Sequence, residues 1–248
     1  MKRIITRRQF ISGLTAGSGL LLTGCNEPDF PPNFNGIFGV SDYLTMSVQR
    51  FLMSEQTLAR EYQASDISTH FPVNGTVMPE SDSYQRALSN QFQDWRLEVG
   101  GLVERPLSLS IDQLKSYPAR TQITQHSCEA GWSAIGEWTG VPLSHVLQQA
   151  GMKQEARYVH FECEDDHWYD TIDMFDALHA QTILAYGMNG GDLPVKHGAP
   201  VRLRVERQLG YKSTKFVKRI TVVDSLDKIK DGKISTAIDF NFAWYGGI

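Results

Sequence analysis

The stretch "QHSCEAGWSAIGEWTGVPL", residues 125–143, sets a thiol among groups that could work with it: His126, Ser127, Glu129, Gly131, Trp132 and Trp138 surround Cys128. A core thiol is expected in an apolar strand, and these neighbours are polar. Four roles stay open for Cys128. It can pack as a buried thiol, bridge to Cys163, attack with His126 as its base, or hold a soft transition metal as a thiolate. Composition does not choose between them. His126, Glu129, His160, Asp165, Asp166 and His167 form a polar crowd, yet their spacing fits no standard zinc pattern. Most are expected at the surface, with some lining a site mouth and relaying protons. Trp132 and Trp138 are expected to pack. In "APVRLRVERQ", Val201, Leu203 and Val205 alternate with Arg202, Arg204 and Glu206; the bland reading is a strand with one solvated face.

The elements that must position these residues are short. "WRLEVGGLV" alternates Trp95, Leu97 and Val99 with Arg96 and Glu98 and turns at Gly100-Gly101, so a strand is expected. "SIDQL" pairs Ser110 with Gln113 as a capping box opening a short helix that stops by Pro118. Leu143, Val146, Leu147 and Ala150 recur at helical spacing behind Pro142, and Gly151 is the stop. "RYVHFEC" alternates Val159, Phe161 and Cys163 with Tyr158, His160 and Glu162, and "FVKRITVVD" reads as a buried strand. Leu44, Val48, Phe51 and Leu52 suggest a helix within 41–63. Strands broken by short helices, without a βαβ rhythm or internal repeat, predict an α+β fold in a single domain over 66–248.

The first 24 residues read as a leader. "TRRQFIS" resembles a twin-arginine export signal, which carries proteins already folded across the membrane. "LLTGC" resembles a lipobox, with Cys25 as the lipid-bearing residue, and plain cleavage is its rival. Residues 25–65 are expected to form a tether and N-terminal segment, opening with the Pro- and Asn-rich "NEPDFPPNFNGIFGV". No run of apolar residues is long enough to span a bilayer. The net charge of −4 argues against nucleic acid or an anionic membrane surface as partner, so any membrane contact is expected only through the lipid anchor.

Beyond these local patterns, "CEAGWSAIGEWTGVPLSHVL" resembles the segment around the metal-binding cysteine of the sulfite oxidase family of molybdopterin oxidoreductases. It is most similar to the exported bacterial branch that includes the catalytic subunit of periplasmic methionine-sulfoxide reductase. "FPVNGTVMP" (71–79), "RYVHFEC", "KHGAPVRLRVERQLGYKSTKFVKRI" (196–220) and "FAWYGGI" are similar to family segments in the same order, so the likeness covers about 66–248.

The resemblance implies a sulfite-oxidase-type fold and a cofactor of molybdenum on one pyranopterin, with Cys128 as metal ligand and catalytic centre. Asn74, Cys163, His197, Arg202, Ser213, Thr214 and Lys215 fall at the positions that contact the pterin; arginine, lysine and backbone amides are sound partners for its phosphate. It also implies two-electron oxidoreductase chemistry, expected as oxygen-atom transfer on a small oxo substrate such as a sulfoxide or sulfite. Electrons would pass to or from a membrane b-type or soluble c-type haem protein, on the periplasmic side of the envelope. The chain carries no Cys-x-x-Cys-His haem motif of its own. Its departures bear on the substrate. Val73, Glu129 and Ala130 stand where sulfite oxidases have arginines, which weakens the case for a small oxyanion. His197 stands where exported reductases tend to have Asn, and residues 26–65 do not match that branch's pterin-contact segment. Rival readings are a molybdenum-free cysteine or zinc enzyme using His126 and Cys128, and a non-catalytic envelope lipoprotein on the same fold.

Overall fold

The computed structural model describes residues 36–165 and 168–248. Cys25, the leader, Asp166 and His167 lie outside the described residues. Two sheets carry the fold, the first mixed and the second antiparallel throughout. The first has the order β2 (Leu107–Leu109), β1 (Leu97–Gly101), β10 (Val217–Val223), β5 (Tyr158–Cys163), β6 (Tyr169–Asp173), with β1 and β10 parallel and the other pairs antiparallel. The second runs β3 (Arg120–Ser127), β4 (Ser133–Pro142), β7 (Ile183–Met188), β8 (Gly191–Asp192), and β9 (Arg202–Arg204) also pairs with β7. Short helices join them: α1 (Gly36–Leu52), α2 (Asp82–Ser89), α3 (Ile111–Lys115), α4 (Leu143–Ala150), α5 (Met174–Ala177) and α6 (Thr236–Asp239). This is the mixed architecture of strands and short helices that the sequence predicts.

The local signals act as expected where they govern short range. Ser110 Oγ accepts from Gln113 N at 3.1 Å and Gln113 Oε1 accepts from Ser110 N at 2.9 Å, so the capping box opens α3. Leu143, Val146, Leu147 and Ala150 of α4 are fully buried, and Gly151 ends the helix at φ 69°, where a Cβ would be disfavoured. Their core is shared by Leu97, Val99, Val159, Phe161, Ile220 and Val222 of the first sheet and Val141, Leu184 and Leu203 of the second. Full burial of each large apolar side chain contributes about 1.5–3 kcal/mol.

Three expectations need correction. In β5 only Glu162 keeps partial access: Tyr158 and His160 are buried with Val159, Phe161 and Cys163, because β5 lies inside its sheet with both faces covered. In β9 and beyond, Arg202, Arg204 and Glu206 are all buried, so the solvated-face reading fails. In α1, Leu44, Val48, Phe51 and Leu52 are exposed; the docked side is that of Met46, Gln49 and Arg50, held by Gln49 Nε2 donating to Gly247 O at 3.1 Å and by Arg50 against Asp173 at 2.6 Å. Residues 59–62 run along the second sheet, with Tyr62 N donating to Ile123 O at 2.9 Å and Glu61 bridged to Thr124.

Candidate active site

β3 and β4 form a hairpin, and Cys128 sits in its turn. Cys128 N donates to Trp132 O at 2.9 Å and Gly131 N donates to Cys128 O at 3.0 Å, with Gly131 at φ 88°. Only glycine adopts that backbone readily, so Gly131 serves the turn that presents the thiol. Along β3 the inward residues are Gln122, Thr124 and His126, a polar face inside the protein.

That polar face meets the β9 cations. Arg204 makes a two-pronged pair with Glu206, Nε to Oε1 at 2.9 Å and Nη2 to Oε2 at 2.7 Å, while Gln122 Nε2 donates to the same Oε1 at 3.0 Å. Trp138, fully buried, lies beneath both guanidiniums at 4.3 Å from Arg204 and 5.1 Å from Arg202. Arg204 Nη1 lies 2.7 Å from His126 Nδ1. A guanidinium can only donate, so Nδ1 accepts and the imidazole proton is on Nε2. Burial, then Arg204, pushes the His126 pKa down to about 2. His126 is thus a fixed neutral donor, which corrects its readings as nucleophile-activating base or proton relay.

Arg202 differs from Arg204. Nη1 donates to His197 O at 3.0 Å and Nη2 to Ser213 O at 2.8 Å, but buried Nε has no partner, and no carboxylate pairs with it among the described residues. Burial and then Arg204 lower its pKa to about 9. Two buried guanidiniums therefore share one carboxylate, Glu206. An uncompensated buried charge is strongly unfavourable, and an anion supplied from the adjacent cavity would balance it.

That cavity holds about 450 Å³ and is lined by Asn74, His197, Arg202, Ser213, Thr214 and Lys215, six of the residues expected to form the site. Lys215 Nζ donates to Asn74 O at 2.8 Å, to Thr76 O and to Lys196 O at 3.3 Å, so the loop carrying Asn74 is tied to the late basic loop. Burial, then Arg202, brings the Lys215 pKa down to about 8. Asn74 Nδ2 in turn donates to Cys128 Sγ and to Glu129 Oε1, each at 3.3 Å. Ser213 Oγ accepts from Val205 N at 3.2 Å. His197 lies edge-on to Phe71 at 5.5 Å, and burial followed by Arg202 lowers its pKa to about 4.

Neither Cys128 nor Cys163 is among the residues lining this cavity. Cys163 is 2 % exposed at the end of β5, and burial pushes its thiol well above the ordinary range. Cys128 and Cys163 are both free, so the disulfide reading is corrected. The Cys128 thiol is also raised, by burial first; it is a poor nucleophile unless a metal takes its proton. Among the described residues no group of three or more His, Cys, Asp or Glu can share a metal, which leaves the described members of the polar crowd without a zinc geometry.

Several lining residues lie in the family-like segments but were not singled out there as site residues. Phe71 packs against His126, Trp132, Trp138 and His197, and Thr76 Oγ1 donates to Asp165. Tyr211 and Phe242, stacked at 5.5 Å, come from two segments that only the fold joins.

The arrangement fits an anionic cofactor: a cavity of this size, an unbalanced buried cation at one wall, and a sulfur donor reached through Asn74. The family described as oxidoreductase molybdopterin binding domain matches residues 85–228. A putative protein-methionine-sulfoxide reductase subunit YedZ1 of Azospira oryzae is 36% identical over 242 residues, covering 97% of this chain and 87% of its own. The protein-methionine-sulfoxide reductase catalytic subunit MsrP of Xanthomonas axonopodis pv. citri is 30% identical over 237 residues, covering 89% and 70%. Among solved structures, the sulfane dehydrogenase SoxCD of Paracoccus pantotrophus is similar at a TM-score of 0.51 and 30% identity, over 54% of this chain and 39% of that one. The chain is an oxidoreductase and belongs to the molybdopterin-binding family that includes the sulfite oxidases, on its methionine-sulfoxide-reductase-like branch.

Proposed function

We propose that this chain reduces organic sulfoxides at a molybdenum pyranopterin held by Cys128 and the 450 Å³ cavity. The observation that carries the reading is the buried Arg202 guanidinium, unpaired beside a cavity whose other wall reaches the Cys128 sulfur through Asn74. When bound, the cofactor supplies a two-electron centre competent for oxygen-atom transfer. The chain's own residues do the rest. Cys128 would hold the metal as a soft thiolate, and Asn74 Nδ2, donating to Sγ at 3.3 Å, would orient that sulfur. Arg202, with Ser213 and Thr214 beside it, provides the charge and the wall for the pterin phosphate; Lys215 adds charge and fixes the Asn74 loop. His126 offers a neutral N–H, and His197 enters uncharged at neutral pH. Cys163 contributes by packing behind the site.

In the overall reaction the sulfur–oxygen bond of the substrate breaks, its oxygen leaves as water after taking up two protons, and two electrons come from outside. A haem protein of the membrane or periplasm is the expected donor. Support for a neutral sulfoxide over sulfite comes from Glu129, which lines the cavity with Oε2 buried and unpartnered, next to Cys128. A carboxylate there repels a small oxyanion. The names of the Azospira and Xanthomonas relatives point the same way. We further assign the catalytic domain to 66–248, and export through the leader with anchoring at Cys25.

The test is turnover by the metal-loaded protein with a reduced dye as donor. Consumption of dye with dimethyl sulfoxide and methionine sulfoxide is the expected result. Oxidation of sulfite without reduction of any sulfoxide overturns the reading.

A further inference from the structure

Beyond the residues assigned to the cofactor, the cavity carries two aromatic stacks. Trp168 and Phe240 lie with centroids 6.4 Å apart and planes at 23°; Tyr211 and Phe242 lie at 5.5 Å and 17°. All four rings line the cavity that Arg202 and Asn74 also line. Phe240 and Phe242 are nevertheless 63% and 42% exposed, so neither is there to fill the core. Large apolar side chains held in the open beside a charged cavity mark a binding surface.

The chain holds these rings deliberately. Between them Asn241 takes φ 60°, a left-handed turn that asparagine tolerates and most residues do not. The following segment is strapped down: Tyr211 Oη donates to Ala243 O at 2.8 Å, Leu209 N to Gly246 O at 2.6 Å and Gly246 N to Gln208 Oε1 at 3.0 Å, with Trp244 and Tyr245 buried. A rim fixed in this way needs little ordering when it receives a ligand.

We propose that the stacks Trp168–Phe240 and Tyr211–Phe242 form the subsite for the carbon groups flanking the sulfur of an organic sulfoxide, a reading that rests on the function proposed above. The chemistry divides the cavity. Cationic and amide groups suit the cofactor and the polar oxygen, while the aromatic rim suits alkyl and aryl carbon and the polarizable sulfur of the thioether product. Sulfite has no carbon to place there, so the rim selects by apolar bulk.

The experiment uses the metal-loaded full chain with Phe240→Ala, Phe242→Ala and the double change. Rates are measured for methyl p-tolyl sulfoxide and dimethyl sulfoxide, and binding of methyl p-tolyl sulfide is measured by titration. The expected result is that kcat/KM for the aryl sulfoxide, relative to the dimethyl compound, falls by about 2- to 10-fold per ring through KM, and that sulfide binding weakens in parallel. An unchanged ratio, or an equal loss of kcat on both substrates, overturns the subsite. If the wild-type protein reduces neither sulfoxide, the function proposed above fails; the sulfide titration then decides the subsite alone, with weaker binding in the variants supporting it and equal binding overturning it.

Discussion

Arg202 is better suited to a loaded protein than to an empty one. Its hydrogen bonds end on two carbonyl oxygens, Nε is buried without a partner, and Glu206 is committed to Arg204. Arg202→Lys keeps the charge and loses the planar fork. The expected outcome is a roughly 10-fold loss of pterin retention on gel filtration, as for loss of a two-pronged phosphate contact, with a much smaller change in the cofactor-free melting temperature. At this scale the sequence was informative in an uneven way. Cys128, Asn74 and the late basic loop were legible because they resemble the family's motifs. The burial of Arg202 and Arg204 was not, because alternation of charge and valine is the pattern of any half-solvated strand. What buries them is Trp138 and the polar face of β3, partners more than 60 residues away in sequence. The neutral state of His126 likewise depends on Arg204, which no local pattern around Cys128 announces.

At the scale of elements, the site depends on how closely the second sheet is laced. Gly140 of β4 passes so near β7 that a Cβ would stand 2.2 Å from Leu184 O and 2.6 Å from Ala185 Cα. Gly140→Ala must push these paired strands apart, since both obstacles are backbone; a loss of about 3 kcal/mol or more is expected in a denaturant titration. Leu147→Ala in α4 removes a fully buried side chain from the core shared by the sheets, and about 2–5 kcal/mol should be lost in the same measurement. Helix α4, the α3 capping box and strand β1 were readable because their signals are local and their patterns have one buried face. Helix α1 was readable as a helix and misread in its facing. Its apolar residues Leu44, Val48, Phe51 and Leu52 share one side, yet Arg50 and Gln49 decide which side docks, through Asp173 and the Gly247 carbonyl.

Across the whole molecule, neutral buried histidines tie stability to pH. His179 Nδ1 accepts from Gln181 N at 3.3 Å, so its Nε2 donates to Thr57 O at 3.1 Å, and burial followed by Arg207 holds its pKa at about 4. His197 shares that value. Between pH 6.5 and 4 the unfolded chain binds protons that the folded one refuses, so stability is fully present above 6.5 and is lost as pH falls toward 4. The melting temperature of the cofactor-free protein should be flat from pH 6.5 up to the Lys215 value of about 8 and decline below 6.5. His179→Gln should lessen that acid slope by up to about 1.4 kcal/mol per pH unit, the amount for one proton. The aromatic rim is a product of this same scale. Trp168, Tyr211, Phe240 and Phe242 meet only because the terminal segment folds back along residues 207–211.

The most direct measurement is the molybdenum and pterin content of the assembled wild-type chain beside Cys128→Ser, by elemental analysis and pterin fluorescence. Wild-type protein should carry stoichiometric molybdenum and pterin, while the serine variant keeps its pterin and loses more than about 100-fold of its turnover. Turnover that survives the substitution, or a fully assembled wild-type protein holding zinc or no metal, contradicts a role for Cys128 as the ligand of a molybdenum centre.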